Sequence, residues 1–245
     1  MGRAEGFGER AAVPGVGRSG RGDRSADPGD GRGLMITEIL PSLFVIGPKR
    51  KAPHTPVTYL LRRAAGSILL ATKADLAGAE AGIKKLGGVA HVLLGDRHHA
   101  LPHTQAFAER LGVGLTCSDV ETKALKTKGV AVTHTLPCRA AAFAPDFEII
   151  PTPGHTPGAL SYIWTHDGER RLFIGDTLVP VDGAWRYWVT KPNLAKMRET
   201  VRALAKVKFD VILSNSFAAK PNAWFEMNAR DRLAMFKALD AELSL

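Results

Sequence analysis

Cysteine is scarce: Cys117 and Cys138 are the only two in 245 residues. They form no CxxC pair, which excludes a disulfide-dense scaffold, and such sparse usage fits a reducing compartment. Both read as small, buried or half-buried side chains without a chemical role. Long apolar runs are also missing. No stretch of 18 apolar residues occurs, which excludes a membrane-spanning helix, and the first residues lack the apolar segment of a secretory signal. A cytoplasmic protein with no membrane partner is expected. Acidic residues are in deficit, 24 against 33 Lys and Arg, for a formal charge of +9. That balance favours polyanions or anionic substrates in principle. The cations, however, are spread along the chain, and the densest cluster, Pro48 to Lys51 ("PKRK"), falls in a predicted loop. With no nucleic-acid-binding module in sight, a solvated basic surface is the reading and nucleic acid is not an expected partner.

What is present is enough for one substantial core, since 45% of the residues are hydrophobic. Residues 1–34 stand apart. They hold ten of the 25 glycines, six arginines and five acids with almost no apolar periodicity, the composition of a disordered leader. An ordinary apolar stretch opens at Met35, so residues 1–34 are expected to be a start-site extension and residues 35–245 the folded domain.

Within that domain strand and helix periodicities alternate. "VTYLL" (57–61), "SILLA" (67–71) and "HVLLG" (91–95) are short β-rich runs, while residues 75–87 and 103–112 have helical spacing and end in Gly. Further strands are predicted at "FEIIP", "ALSYIWT", "RLFIG" and "DVILS", with helices near 193–207 and 228–243. Strand pairs bracketing helices in both halves suggest an α/β protein, an αββα four-layer sandwich.

Two stretches present side chains suited to chemistry. In "PTPGHTPGAL" (151–160), His155 sits in a loop stiffened by Pro151, Pro153 and Pro157, so it is presented instead of packed. Fifteen residues later "RLFIGDTL" ends an apolar strand on Gly175 and Asp176, delivering a carboxylate at a strand terminus. In this order and spacing the two resemble the metallo-β-lactamase fold superfamily, from about Met35 to Phe217. The resemblance implies the αββα sandwich, a metal-binding His155 and a metal-bridging Asp176. The family's HxHxDH motif is matched by "HVLLGDRHHALPH", with Asp96 on the first His, His98 on the second, Ala100 on the Asp and Leu101 on the last His. Asn215 stands where a late His is expected, and Ala71 or Thr72 where an early Asp is.

The resemblance therefore implies a reduced site. Asp96, His98, His155 and Asp176 would hold one divalent metal, Zn²⁺ first, with Fe²⁺ or Mn²⁺ as alternatives. Asp176 and Asp96 would be the catalytic carboxylates. His99 and His103 are further candidates; Pro102 suits a helix start, and His103 is placed to replace the missing His, although Phe107 and Leu111 continue its helix face toward the core. "DGAWRYW" brings Trp185, Arg186 and Trp188 together as a possible substrate-pocket wall; a hairpin packing its aromatics on a sheet is the rival reading. His54 precedes the first paired strand, and His91, His134 and His166 match no motif position. The expected activity is metal-dependent hydrolysis of an ester, thioester, amide or phosphoester in a small molecule. The alternative is a non-catalytic binding or scaffold domain that keeps the fold around a degenerate site.

Overall fold

The computed structural model describes residues 33–48, 56–181, 183–215 and 224–244. The predicted leader, except for its last two residues, lies outside them, as do His54 and most of the basic "PKRK" cluster. Leu34 already belongs to the first strand, one residue ahead of the expected domain boundary.

Two sheets carry the fold. The first is built from β1 (Leu34–Leu40), β2 (Leu43–Pro48), β3 (Thr58–Leu61), β4 (Ile68–Ala71), β5 (His91–Leu94), β6 (Leu115–Ser118) and β7 (His134–Leu136), side by side in chain order. β1 to β4 run antiparallel, and β4 to β7 run parallel. Parallel neighbours need a crossover, and each is supplied by a helix: α1 (Glu80–Lys85), α2 (Pro102–Arg110) and α3 (Thr122–Thr127). The second sheet holds β8 (Ala141–Ala144), β9 (Phe147–Pro151), β10 (Leu160–His166) and β11 (Glu169–Gly175). A small separate ribbon follows, β12 (Leu178–Val181) and β13 (Ala184–Tyr187). The chain then forms α4 (Leu194–Leu204), adds β14 (Val211–Ser214) and β15 (Trp224–Glu226) to the second sheet in the order β15-β14-β11-β10-β9-β8, and ends in α5 (Ala229–Glu242).

The runs "TYLL" and "ILLA" are buried at every position, as strands covered on both faces must be. Tyr59, Leu93, Phe147, Tyr162 and Phe173 belong to one cluster shared by the two sheets. Ile83, Phe107 and Leu125 of α1, α2 and α3 cover the outer face of the first sheet. Met197, Val201, Phe236 and Leu239 of α4 and α5 cover the outer face of the second. The fold is thus mixed α/β, as expected, with the two sheets sharing a core and helices packed on each.

Helix boundaries differ from the periodicity in one instructive place. A helix was expected over 75–87, but α1 spans only Glu80–Lys85. The Asp75 side chain accepts the Ala77 N–H at 3.0 Å, and Gly78 has φ of +92°, so the first half of that stretch is a turn. α2 starts at Pro102 as the first-turn proline suggested.

At one end of the sandwich, Arg63, in the turn between β3 and β4, donates from Nε to Asp146 Oδ2 at 2.8 Å, and Trp164 Nε1 donates to the same oxygen at 3.1 Å. Asp146 precedes β9. The strands of both sheets that leave this end, β4, β5, β9, β11 and β14, terminate at the other, where the candidate site is assembled.

Candidate metal centre

β5 runs apolar to Leu94, and the chain turns at Gly95, whose carbonyl accepts the Leu160 N–H at 2.8 Å. A Cβ at Gly95 would stand 3.0 Å from His99 Nδ1, so a side chain there would press on His99. Asp96 is 2% exposed. Its Oδ1 accepts the His98 N–H at 2.6 Å, a side-chain turn that fixes the carboxylate and swings the half-exposed His98 ring outward.

His155 comes from the loop between β9 and β10. Gly154 has φ of +148°, and a Cβ there would lie 2.9 Å from Met197 Cα, so glycine lets the loop lie against α4. His155 Nδ1 donates to the Trp188 carbonyl at 2.8 Å, which keeps a proton on Nδ1 and turns Nε2 inward. That nitrogen is 2.9 Å from His98 Nδ1, 3.8 Å from Asp96 Oδ2 and 3.7 Å from Asp176 Oδ2. Asp176 follows β11 and divides its oxygens: Oδ1 accepts from His99 Nε2 at 2.8 Å while Oδ2 faces His155.

Asp96, His98, His155 and Asp176 thus each offer one atom to a group in which all four lie within 4.8 Å of one another. Ligands of a tetrahedral ion at about 2.0–2.2 Å are roughly 3.3–3.6 Å apart, close to the spacing found here. A pair of ring nitrogens at 2.9 Å leaves no room for two N–H protons, so one lone pair is already directed inward. The donor set fits a divalent ion. Its two carboxylates would balance the ion's charge.

His99 is not part of this group. It is 4% exposed, and its Nδ1 has no partner among the described residues. Burial would lower its pKa, but the charges of Asp176 and Asp96 and the Asp176 hydrogen bond outweigh burial and raise it to about 9. His98 shifts the other way: burial lowers it, and Asp96 opposes this only in part.

A second buried carboxylate braces the site. Glu121, fully buried just before α3, accepts the Gly158 N–H at 2.6 Å and forms an ion pair with Arg97. Arg97 lies between Asp96 and His98, and Gly158 lies three residues beyond His155. Glu121 therefore ties the two donor loops together. A Cβ at Gly158 would lie 2.8 Å from Glu121 Cγ, so this clamp needs glycine.

Several expected site residues fall elsewhere. His103 does not take the place of the missing His: its Nε2 lies 3.0 Å from the Lys73 carbonyl, because its position on the first turn of α2 points it at the loop after β4. Trp185 and Arg186 are not pocket walls either. Trp185 packs on Phe225 with centroids 5.5 Å apart, and Arg186 pairs with Glu242 at 2.6 Å, since β13 folds onto β12 and faces α5. Trp188, beyond the ribbon, does line the pocket. Asn215 is a brace: its Nδ2 donates to the Val57 carbonyl at 3.1 Å and its own carbonyl accepts the Val57 N–H at 2.9 Å. Thr72 bonds Thr58 through their hydroxyls at 2.9 Å. Cys117 and Cys138 are unpaired, and burial raises the Cys117 thiol to about 12, which leaves it inert at neutral pH. Sequence reasoning missed Glu121, whose "SDVET" context reads as an ordinary helix start, and the tie from His99 to Asp176.

Two sheets with helices outside, carrying a histidine and carboxylate cluster at the strand ends, define the class: the chain has the metallo-β-lactamase fold. Among solved structures, the metallo-β-lactamase DIM-1 superposes with a TM-score of 0.65 at 10% identity, covering 86% of this chain and 97% of its own. A metallo-β-lactamase from Pontibacter korlensis gives 0.65 at 15% identity, covering 86% and 99%. A B3 metallo-β-lactamase with an active-site glutamic acid gives 0.58 at 17% identity, covering 83% and 88%. In sequence, no family profile and no curated protein matches the chain. Among the described residues no helix is long and apolar enough to cross a membrane.

Proposed function

We propose that the protein is a metal-dependent hydrolase with a single divalent ion, acting on an ester, thioester, amide or phosphoester of a small molecule. One observation carries this reading: two imidazoles and two carboxylates converge within 4.8 Å, and three of them, His98, His155 and Asp176, line a pocket of about 380 Å³. Asp96, His98, His155 and Asp176 would hold the ion, Zn²⁺ first, with Fe²⁺ or Mn²⁺ as alternatives favoured by the two hard carboxylates. A bound ion would supply Lewis acidity toward a substrate carbonyl or phosphoryl group. The protein's part is positional. His99 holds Asp176 Oδ1, so Oδ2 keeps its aim into the cluster, where the carboxylate would bind the ion and orient an attacking water. The Trp188 carbonyl keeps a proton on His155 Nδ1. Trp188 and Val189 shield one side of the pocket from solvent. The active-site glutamic acid of the similar B3 metallo-β-lactamase supports a carboxylate as a working member of such a site. With both thiols free, a reducing, cytoplasmic setting belongs to the same reading.

The test combines metal analysis with turnover. The purified protein is expected to hold one equivalent of metal and to hydrolyse aryl esters, with His155→Ala losing both while keeping its fold. Failure to bind Zn²⁺, Fe²⁺ or Mn²⁺ would remove the reading. A second reading, a non-catalytic binding domain, is favoured by the 2.9 Å contact between His98 and His155, which closes the cluster by itself. It predicts metal binding without turnover, or neither.

A further inference from the structure

The pocket in front of the metal cluster has a lopsided charge. Among its described lining residues Asp176 is the only acid, while Lys73 and Lys128 line it as well. They reach it from separate crossovers, Lys73 just beyond β4 and Lys128 at the end of α3. The Lys73 backbone is fixed by His103 at its carbonyl, and Lys128 Nζ donates to the Arg97 carbonyl at 2.8 Å. Neither lysine forms an ion pair among the described residues. Leaving the imidazoles aside, the other local charges cancel: Arg97 is matched by Glu121, and a divalent ion would be matched by Asp96 and Asp176. Two positive charges are left over in a concave site, where low-dielectric walls concentrate their field. Pro56, Trp188 and Val189 give the pocket an apolar side.

Resting on the hydrolase reading above, we propose that the substrate carries an anionic group, a carboxylate or phosphate set apart from the bond that is broken, which Lys73 and Lys128 receive. The uncharged part of the substrate lies against Trp188 and Val189. The net charge at the metal is then unimportant for capture, because the lysines supply the attraction and the ion is left to the scissile group.

The experiment uses the full chain loaded with Zn²⁺ and two probes, mono-4-nitrophenyl glutarate and neutral 4-nitrophenyl butyrate. The anionic ester is expected to have a kcat/KM about tenfold higher or more, chiefly through KM, with the advantage shrinking as salt rises. Lys73→Met combined with Lys128→Met is expected to erase that advantage, and Lys73→Arg with Lys128→Arg to restore it. Zinc content is measured on every variant, because Lys128 contacts the loop that carries Asp96 and His98. Equal use of the two esters, or an anionic preference that survives the double Met variant, overturns the proposal and leaves the hydrolase reading intact. If neither ester is cleaved, the ester form of the hydrolase reading falls. Titration with free glutarate and inorganic phosphate then decides the anion site: lysine-dependent binding sustains it, and absent or lysine-independent binding overturns it.

Discussion

His99 illustrates how much one buried side chain changes the account. Adjacent to His98, it leaves the chain in a different direction and binds the far oxygen of Asp176. In the metal-free protein its pKa of about 9 lies above the ordinary value of 6.5. The folded state therefore holds its proton more tightly than the unfolded state does. The resulting stability is fully present below about pH 6.5 and lost as pH rises through about 9, a difference of roughly 3 kcal/mol. Denaturant unfolding of chelated protein between pH 6 and 9.5 is expected to show this decline, and His99→Gln to flatten it; an equal slope in the variant would refute the assignment. His155 and Asp176 were legible because a proline-stiffened loop and a strand end announce themselves in sequence. The partner of each was not, since the tie from His99 to Asp176 spans 77 positions of chain.

At the scale of elements, the decisive feature is the junction of three connections. The turn after β5 supplies Asp96 and His98, the loop between β9 and β10 supplies His155, and the start of α3 supplies the Glu121 clamp. Glu121→Gln keeps an acceptor for the Gly158 N–H but removes the charge opposite Arg97. Zinc affinity, measured by competition with a chelating dye, is expected to fall about 10–100-fold, as for other groups that orient ligands from behind. An unchanged affinity would show that the clamp serves folding alone. Strands such as "TYLL" and "RLFIG" were readable as unbroken apolar runs, and α2 from its first-turn proline. α1 was overestimated because Asp75 and Gly78 have helical spacing but turn chemistry. Neither Trp185 nor Arg186 reaches the pocket, because ribbon pairing decides which way a strand faces.

For the whole molecule, the Arg63–Asp146 pair and the candidate donor cluster lie at opposite ends of the strands. The Arg63–Asp146 pair joins the turns of the two sheets at the end remote from the candidate metal centre, with the Arg63 side chain 2% exposed. Asp146→Ala leaves that guanidinium buried with only the Gly66 carbonyl and is expected to lower stability by about 2 kcal/mol, a drop of roughly 4–8 °C in Tm for a chain of this size. Zinc affinity should be unchanged; a parallel loss would mean that the two ends are coupled. By itself the sequence determined the α/β class, many of the strand ends and the chemical types on offer, because apolar periodicity and turn residues act over a few positions. Only the tertiary structure decided which donors meet, that His99 and Glu121 stand behind them, and that His103 does not join them. Distances between residues 57 apart, such as His98 and His155, are set by how two sheets pack, and local periodicity carries no record of that.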